Sequence, residues 1–193
     1  MIRPPVLLPA LGLALLAPAA AFAHTGHGTA SLWAGLLHPF SGADHVLAMV
    51  AVGLWASMAG GRSAWAAPSA FVGAMLLGGA VTVLGAVVPG VEPMILASVI
   101  VLGAMVGLAV PLPSAVALPV IAVFGLMHGA AHGMEGPSSG LALYAAGFAL
   151  ATAGLHLAGL AAGAALTGSG AHAALRSLGA GTAMLGAGLA MAG

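Results

Sequence analysis

Long runs of apolar residues make up most of the chain, and short breaks containing Gly, Pro or a charged residue separate them. A helix of about 20 apolar residues crosses the hydrocarbon core of a bilayer. Counted by this rule, the pattern predicts an all-α integral membrane protein built as a bundle of six transmembrane helices. The predicted spans cover residues 30–59, 68–88, 94–110, 114–133, 140–166 and 171–191, within a membrane domain of residues 24–193.

The first 23 residues have the pattern of a cleavable secretory signal peptide. Arg3 precedes an apolar run from Val6 to Leu16, and residues 21–23 (Ala-Phe-Ala) fit the small-x-small rule for cleavage. The alternative is an uncleaved first anchor, which is disfavoured because prolines crowd the short apolar run. Cleavage would place the mature amino terminus outside, and six spans would bring the carboxyl terminus to the same, periplasmic side.

The few charged residues agree with this orientation. Starting from outside, the loops with Arg62 and Arg176 fall on the cytoplasmic side, whereas Glu92 and Glu135 fall outside. An excess of Lys and Arg in cytoplasmic loops is the usual rule for membrane proteins. The sequence therefore predicts a multi-pass protein of the bacterial cytoplasmic (inner) membrane.

Composition excludes several kinds of partner and of metal ligand. Of 193 residues, 62% are hydrophobic and 3% are charged, and three basic residues balance three acidic ones. No basic surface for nucleic acid can be built from them. Without Cys there is no thiolate, so any metal would be held by nitrogen and oxygen. The 31 Gly residues, among them the GxxxG pair Gly103 and Gly107, favour close packing of membrane helices.

The first predicted span contains two imidazoles and a carboxylate within eight residues, at His38, Asp44 and His45. Ionisable groups at membrane depth cost about 3 kcal/mol each on insertion scales, so they usually face a cavity, a partner or an ion. On an ideal helix the two His would lie about 10 Å apart along the axis. Pro39 and Gly42 favour an opened turn. Either the turn opens and the three groups converge, or they form two successive stations.

The fourth predicted span ends in His128, His132 and Glu135, which project from one stripe of a helix. A His pair at i and i+4 can embrace one first-row metal ion, and the Glu can add an oxygen or hold one imidazole. In the predicted topology both clusters lie in the outer half of the membrane. The alternative, that each His only donates to a backbone carbonyl, is disfavoured for so many groups together. The sequence predicts a shared metal site of His38, Asp44, His45, His128, His132 and Glu135.

Four His lie outside these clusters. His24 and His27 would follow the cleavage site, as a weak external metal collector or as an incidental polar tail. His156 stands alone in the fifth span, as an accessory metal ligand on a transfer path or as a hydrogen-bonded packing residue. His172 lies beside an inner loop, where it is expected to be solvated. No catalytic residue is predicted.

At its two His motifs the chain resembles the HupE/UreJ family of membrane proteins. Residues 38–45 match the family's HPxxGxDH element, and residues 128–135 match its HGxAHGxE element. The resemblance extends to the signal peptide and the six spans, so it covers essentially the whole mature chain. It implies uptake of Ni²⁺, or in some members Co²⁺, that feeds urease, NiFe hydrogenase or cobalamin synthesis. The choice of nickel comes from this resemblance alone.

We therefore expect a transition-metal uptake permease for Ni²⁺, with Co²⁺ as the alternative ion, and not an enzyme. The expected partners are the divalent metal ion, the lipid bilayer, and either a homo-oligomer or nickel-enzyme maturation proteins. No permanent cofactor and no nucleic acid are expected, with Ni²⁺, Co²⁺ or Zn²⁺ only as the transported or bound ion.

Two other functions stay open. One is an intramembrane zinc-dependent hydrolase, in which three His would hold zinc and a carboxylate would activate its water. The sequence lacks the HExxH motif, which argues only against one class of such enzymes. The other is a metal-binding subunit of a hydrogenase or urease assembly system.

Overall fold

A computed structural model describes residues 31–110, 112–137 and 139–192. The predicted signal peptide and the two candidate ligands that follow it, His24 and His27, lie outside these residues. Every regular element in the described part is helical, which confirms the all-α class. The helices are α1 (Leu32–Leu37), α2 (Ala43–Ala59), α3 (Ser63–Val83), α4 (Val91–Gly107), α5 (Ser114–Glu135), α6 (Leu141–Gly168) and α7 (His172–Ala192).

The first predicted span is bent sharply in its amino-terminal half and is not one straight helix. A 3₁₀ turn over His38–Ser41 follows α1, and the chain direction changes by 91° before α2. Pro39 has no N–H to continue an α-helix, and Gly42 is extended, with φ −120° and ψ 126°. The Ser41 hydroxyl donates to the carbonyl of His38 at 2.6 Å and closes the turn. Of the two arrangements left open by the sequence, the opened turn is the one found.

Large apolar side chains cover the outside of the described helices as well as their core, as expected where lipid is the solvent. By length and composition α3, α5 and α6 can each cross a membrane, and the bent pair α1–α2 is a fourth candidate. α4 is apolar but shorter. These features identify a helical membrane protein. Exposed apolar side chains on the outer surface include Trp65, Leu77, Val116, Leu150, Leu157 and Met184.

Glycines set the closest contact in the bundle, between helices α3 and α5, which run parallel to each other. A Cβ atom at Gly125 would clash with the backbone of Phe71, and one at Gly129 would clash with the carbonyl oxygen of Met75. Small residues allow this approach in lipid, where helices associate through packing. The contact fixes the position of the α5 segment that carries His128 and His132.

The predicted GxxxG pair lies at a second close contact. A Cβ at Gly103 or Gly107 would meet the backbone of α7 near Ala183 and Ala180. A third contact joins α2 to α6, where a Cβ at Gly53 would clash with the carbonyl oxygen of His156. Small residues therefore hold three helix pairs together.

Charged and polar groups separate to the two ends of the described bundle. Arg62 lies in the turn between α2 and α3, and Arg176 donates to the carbonyl of Gly107 at 3.1 Å. At that same end the hydroxyls of Ser63 and Ser114 lie 2.6 Å apart. The carboxylates of Glu92, in the first turn of α4, and of Glu135, which ends α5, lie at the opposite end.

Candidate metal site

Four imidazoles from two parts of the chain form a continuous column, which we call the histidine column. The ring centroids of His38 and His132 are 4.7 Å apart, those of His132 and His45 are 4.7 Å apart, and those of His45 and His128 are 4.8 Å apart. The 3₁₀ turn and α2 supply two of these rings and α5 supplies the other two, and rings from the two parts of the chain alternate along the column. The bend before α2 thus brings together groups that one straight helix would hold about 10 Å apart.

The outer end of the column forms a compact donor set, which we call the outer triad: His38, His132 and Glu135. One ligand atom from each residue lies within 4.8 Å of the other two. Metal–ligand bonds of about 2.1 Å place the ligand atoms of one ion about 3–4 Å apart, so a small closure would suffice. The nearest approach of His38 Nε2 to the Glu135 carboxylate is 4.0 Å.

Asp44 orients the ring of His45. The Asp44 carboxylate accepts from His45 Nδ1 at 2.7 Å and from the His45 backbone N–H at 2.8 Å. A carboxylate only accepts, so Nδ1 carries the proton and Nε2 presents a lone pair. A carboxylate that holds the second nitrogen is the usual support for a metal-binding His. His45 Nε2 is buried without a hydrogen-bond partner among the described residues.

Ser98 of α4 orients the ring of His128, as Asp44 orients that of His45, through a hydrogen bond to one ring nitrogen. The Ser98 hydroxyl donates its single proton to the carbonyl of Ile95 at 2.6 Å and lies 3.0 Å from His128 Nε2. The hydroxyl must then accept from Nε2–H, which leaves the lone pair of His128 on Nδ1. That atom is also buried without a partner among the described residues.

Exposure is greatest at the Glu135 and His38 end of the site and least at His128. The Glu135 side chain is 60% exposed and that of His38 is 29% exposed, whereas His128 is fully buried. His132, which is 7% exposed, has no hydrogen-bond partner for either ring nitrogen among the described residues. Buried polar groups normally have partners, because an unsatisfied one loses its hydration without compensation. The arrangement offers a graded series of nitrogen donors from the surface to the interior.

Aromatic side chains enclose the column. The Phe148 ring lies 4.0 Å from His132, the Tyr144 ring lies 5.6 Å from His38, and the Phe71 ring lies 5.3 Å from His128, measured between centroids. A cavity of about 350 Å³ between α3, α5 and α6 also reaches His132, but its lining is almost entirely apolar. A hydrated ion would therefore reach the column past Glu135 and His38.

The six predicted site residues thus lie along or beside the histidine column, and three of them, His38, His132 and Glu135, form a compact donor set among the described residues. His156 lies apart from the column, in contact with Phe71 at 5.1 Å, and His172 is exposed at the other end. Sequence reasoning missed Ser98, although a hydroxyl in an apolar span was a visible signal. It also missed the aromatic walls, which no sequence signal distinguishes from ordinary packing.

Comparison with known proteins identifies relatives of this chain. A family model described as HupE / UreJ protein matches residues 12–189. A curated relative, "Protein HupE" of Rhizobium leguminosarum bv. viciae, is 47% identical over 125 residues, which is 65% of this chain and 65% of that protein. The match therefore spans less than two thirds of the relative's length. No solved structure matches the chain.

Proposed function

As the chain belongs to the HupE/UreJ family, we propose that it is a permease that takes up a divalent transition-metal ion, Ni²⁺ in the first place and Co²⁺ in the second, through the histidine column. The observation that carries the proposal is the series of buried imidazole nitrogens without hydrogen-bond partners in the described residues. Nitrogen lone pairs of this kind suit first-row divalent ions.

Capture would begin at the outer triad. The exposed Glu135 carboxylate attracts the hydrated cation, and His38 and His132 replace part of its water shell. His45 and His128 then offer further lone pairs at greater depth. The absence of thiolates favours release, because sulfur would hold the ion more tightly than imidazole does.

The proposed topology has six spans with both mature termini outside, in the cytoplasmic membrane, after removal of residues 1–23. The two Arg side chains at one end of the bundle and the two Glu side chains at the other support this orientation. α4, at 17 residues, is about 26 Å long and α7, at 21 residues, is about 32 Å long, close to the thickness of the hydrocarbon core. The column then opens to the periplasm.

The experiment that tests the function is uptake of labelled Ni²⁺ into proteoliposomes, with Co²⁺ and Zn²⁺ in parallel. We expect saturable Ni²⁺ uptake that excess Co²⁺ inhibits and that empty liposomes lack. Stoichiometric bound metal without any flux would contradict a permease. Metal retained during turnover of a hydrolysable substrate would indicate the zinc hydrolase, and flux only with a co-purified partner would indicate the assembly subunit.

Asp44→Asn is expected to weaken Ni²⁺ binding about 10-fold, because loss of a carboxylate that orients a ligating His costs about 10–100-fold in metal affinity. The amide keeps the shape of the side chain but no longer fixes the proton on His45 Nδ1. Equilibrium dialysis of the purified protein in detergent measures the change. Arg62→Gln, which removes one charge at the far end of the bundle, is the matched control. Equal affinities for wild type and Asp44→Asn would contradict the role given to Asp44.

A further inference from the structure

His156 lies in the middle of α6 and is fully buried. Neither of its ring nitrogens has a hydrogen-bond partner among the described residues. Buried or half-buried hydroxyls of the bundle behave differently: those of Ser57, Thr82 and Thr182 each donate to a carbonyl of their own helix. A packing role would be served at lower cost by an apolar residue, because an unsatisfied imidazole in a membrane interior loses its hydration.

The position of His156 continues the series of the histidine column. Phe148, which contacts His132, precedes His156 by eight residues on α6, so His156 lies about 12 Å further along the helix. His128 lies four residues, or about 6 Å, inward from His132 along α5. His156 is therefore about one helical turn deeper than His128.

One phenyl ring joins the two residues. Phe71 of α3 packs against His128 at 5.3 Å and against His156 at 5.1 Å between centroids. His128 is held by Ser98 with its lone pair on Nδ1, and that atom is not bonded within the described residues. The next unpartnered nitrogens inward are those of His156.

The surroundings hold His156 rigidly. α6 approaches α2 so closely that a Cβ on Gly53 would clash with the carbonyl oxygen of His156, and one on Gly159 would clash with that of Val50. One turn outward on the same face, the Thr152 hydroxyl donates to the Met75 sulfur at 3.7 Å. In this part of the described structure the Thr152 hydroxyl has a hydrogen-bond partner, whereas the ring nitrogens of His156 have none.

We propose that His156 is a second, inner metal station, which takes the ion from His128 Nδ1 on its way toward the cytoplasmic side. The proposal rests on the permease function and deepens it: the outer triad captures the ion, and a separate site at mid-membrane depth passes it on. The protein ligands of the inner station are His128 Nδ1 and one ring nitrogen of His156, with water completing the coordination.

A binding measurement tests the inner station without any transport. The purified protein with the outer triad and His45 replaced, as His38→Ala/His45→Ala/His132→Ala/Glu135→Gln, should still bind Ni²⁺ in equilibrium dialysis, with a weaker Kd. Adding His156→Leu should abolish that residual binding, whereas adding Thr152→Val, a matched apolar replacement one turn away, should preserve it. Residual binding that survives His156→Leu, or no residual binding before it, would overturn the proposal.

Measurements of Ni²⁺ uptake distinguish failure of the inner station from failure of the permease function. In proteoliposomes the single variant His156→Leu should keep Ni²⁺ binding within about 2-fold while its uptake rate falls at least about 10-fold. Wild-type uptake in His156→Leu would overturn the inner station and leave the permease intact. Absence of uptake in wild type would overturn the permease, and the dialysis result would still decide the inner station.

His156→Asn, which keeps a polar side chain, replaces His156→Leu if the latter does not purify as a folded protein, and the same outcomes apply.

Discussion

Replacing His132 by alanine is expected to abolish uptake of Ni²⁺ into proteoliposomes, with a fall in rate of at least about 100-fold. His132 is the one residue of the column that contacts both His38 and His45, at 4.7 Å in each case. Both of its ring nitrogens lack hydrogen-bond partners among the described residues. Since a group that only holds a ligating His in place is worth about 10–100-fold in metal affinity, loss of a direct ligand should cost at least as much.

The matched control for this variant is His172→Ala. His172 is an exposed imidazole at the opposite end of the bundle, where α7 begins. The control removes the same side chain from the same chain and should transport at the wild-type rate. Size-exclusion profiles and melting temperatures establish that both variants are folded. Uptake by folded His132→Ala within a few-fold of wild type would exclude the column as the route of the ion.

Gly129→Leu is expected to destabilise the bundle strongly, because any side chain at this position would clash with the Met75 carbonyl oxygen. The obstacle is backbone and cannot rotate away as a side chain could. Overpacking of an interior costs about 1–3 kcal/mol and more where the neighbours cannot move, and we expect at least about 3 kcal/mol here. Gly129 lies next to His128 on α5, so metal binding should be lost together with stability.

Gly73→Leu on α3 is the control for the glycine contact. A Cβ atom at Gly73 would meet nothing within 4 Å, and the residue is exposed on the outer surface of the helix. Because Gly is a poor helix former, Leu there should leave stability unchanged or raise it slightly. Thermal unfolding followed by circular dichroism in one detergent compares the two variants. Similar melting temperatures would contradict the close approach of α3 and α5.

The sequence by itself determined the class of the fold and the kinds of side-chain atom that could hold a metal. Apolar runs of membrane length predict helices, because every backbone N–H and C=O group must be satisfied internally in lipid. The spacing of His128 and His132 places both on one stripe of a helix, since that geometry depends only on the local repeat of 3.6 residues. The lack of Cys restricts any metal donors to nitrogen and oxygen. Each of these conclusions follows from local geometry or from composition.

Only the tertiary structure decided which groups meet. The residues between His38 and Ala43 allowed two arrangements, and the 91° bend brings His38 and His45 against His132. Nothing in the sequence paired Ser98 with His128, or set His156 and His128 against the same Phe71 ring. A metal site depends on through-space distances of a few ångströms between different helices. Those distances are set by how closely the glycine faces pack, which spacing along a single helix does not contain.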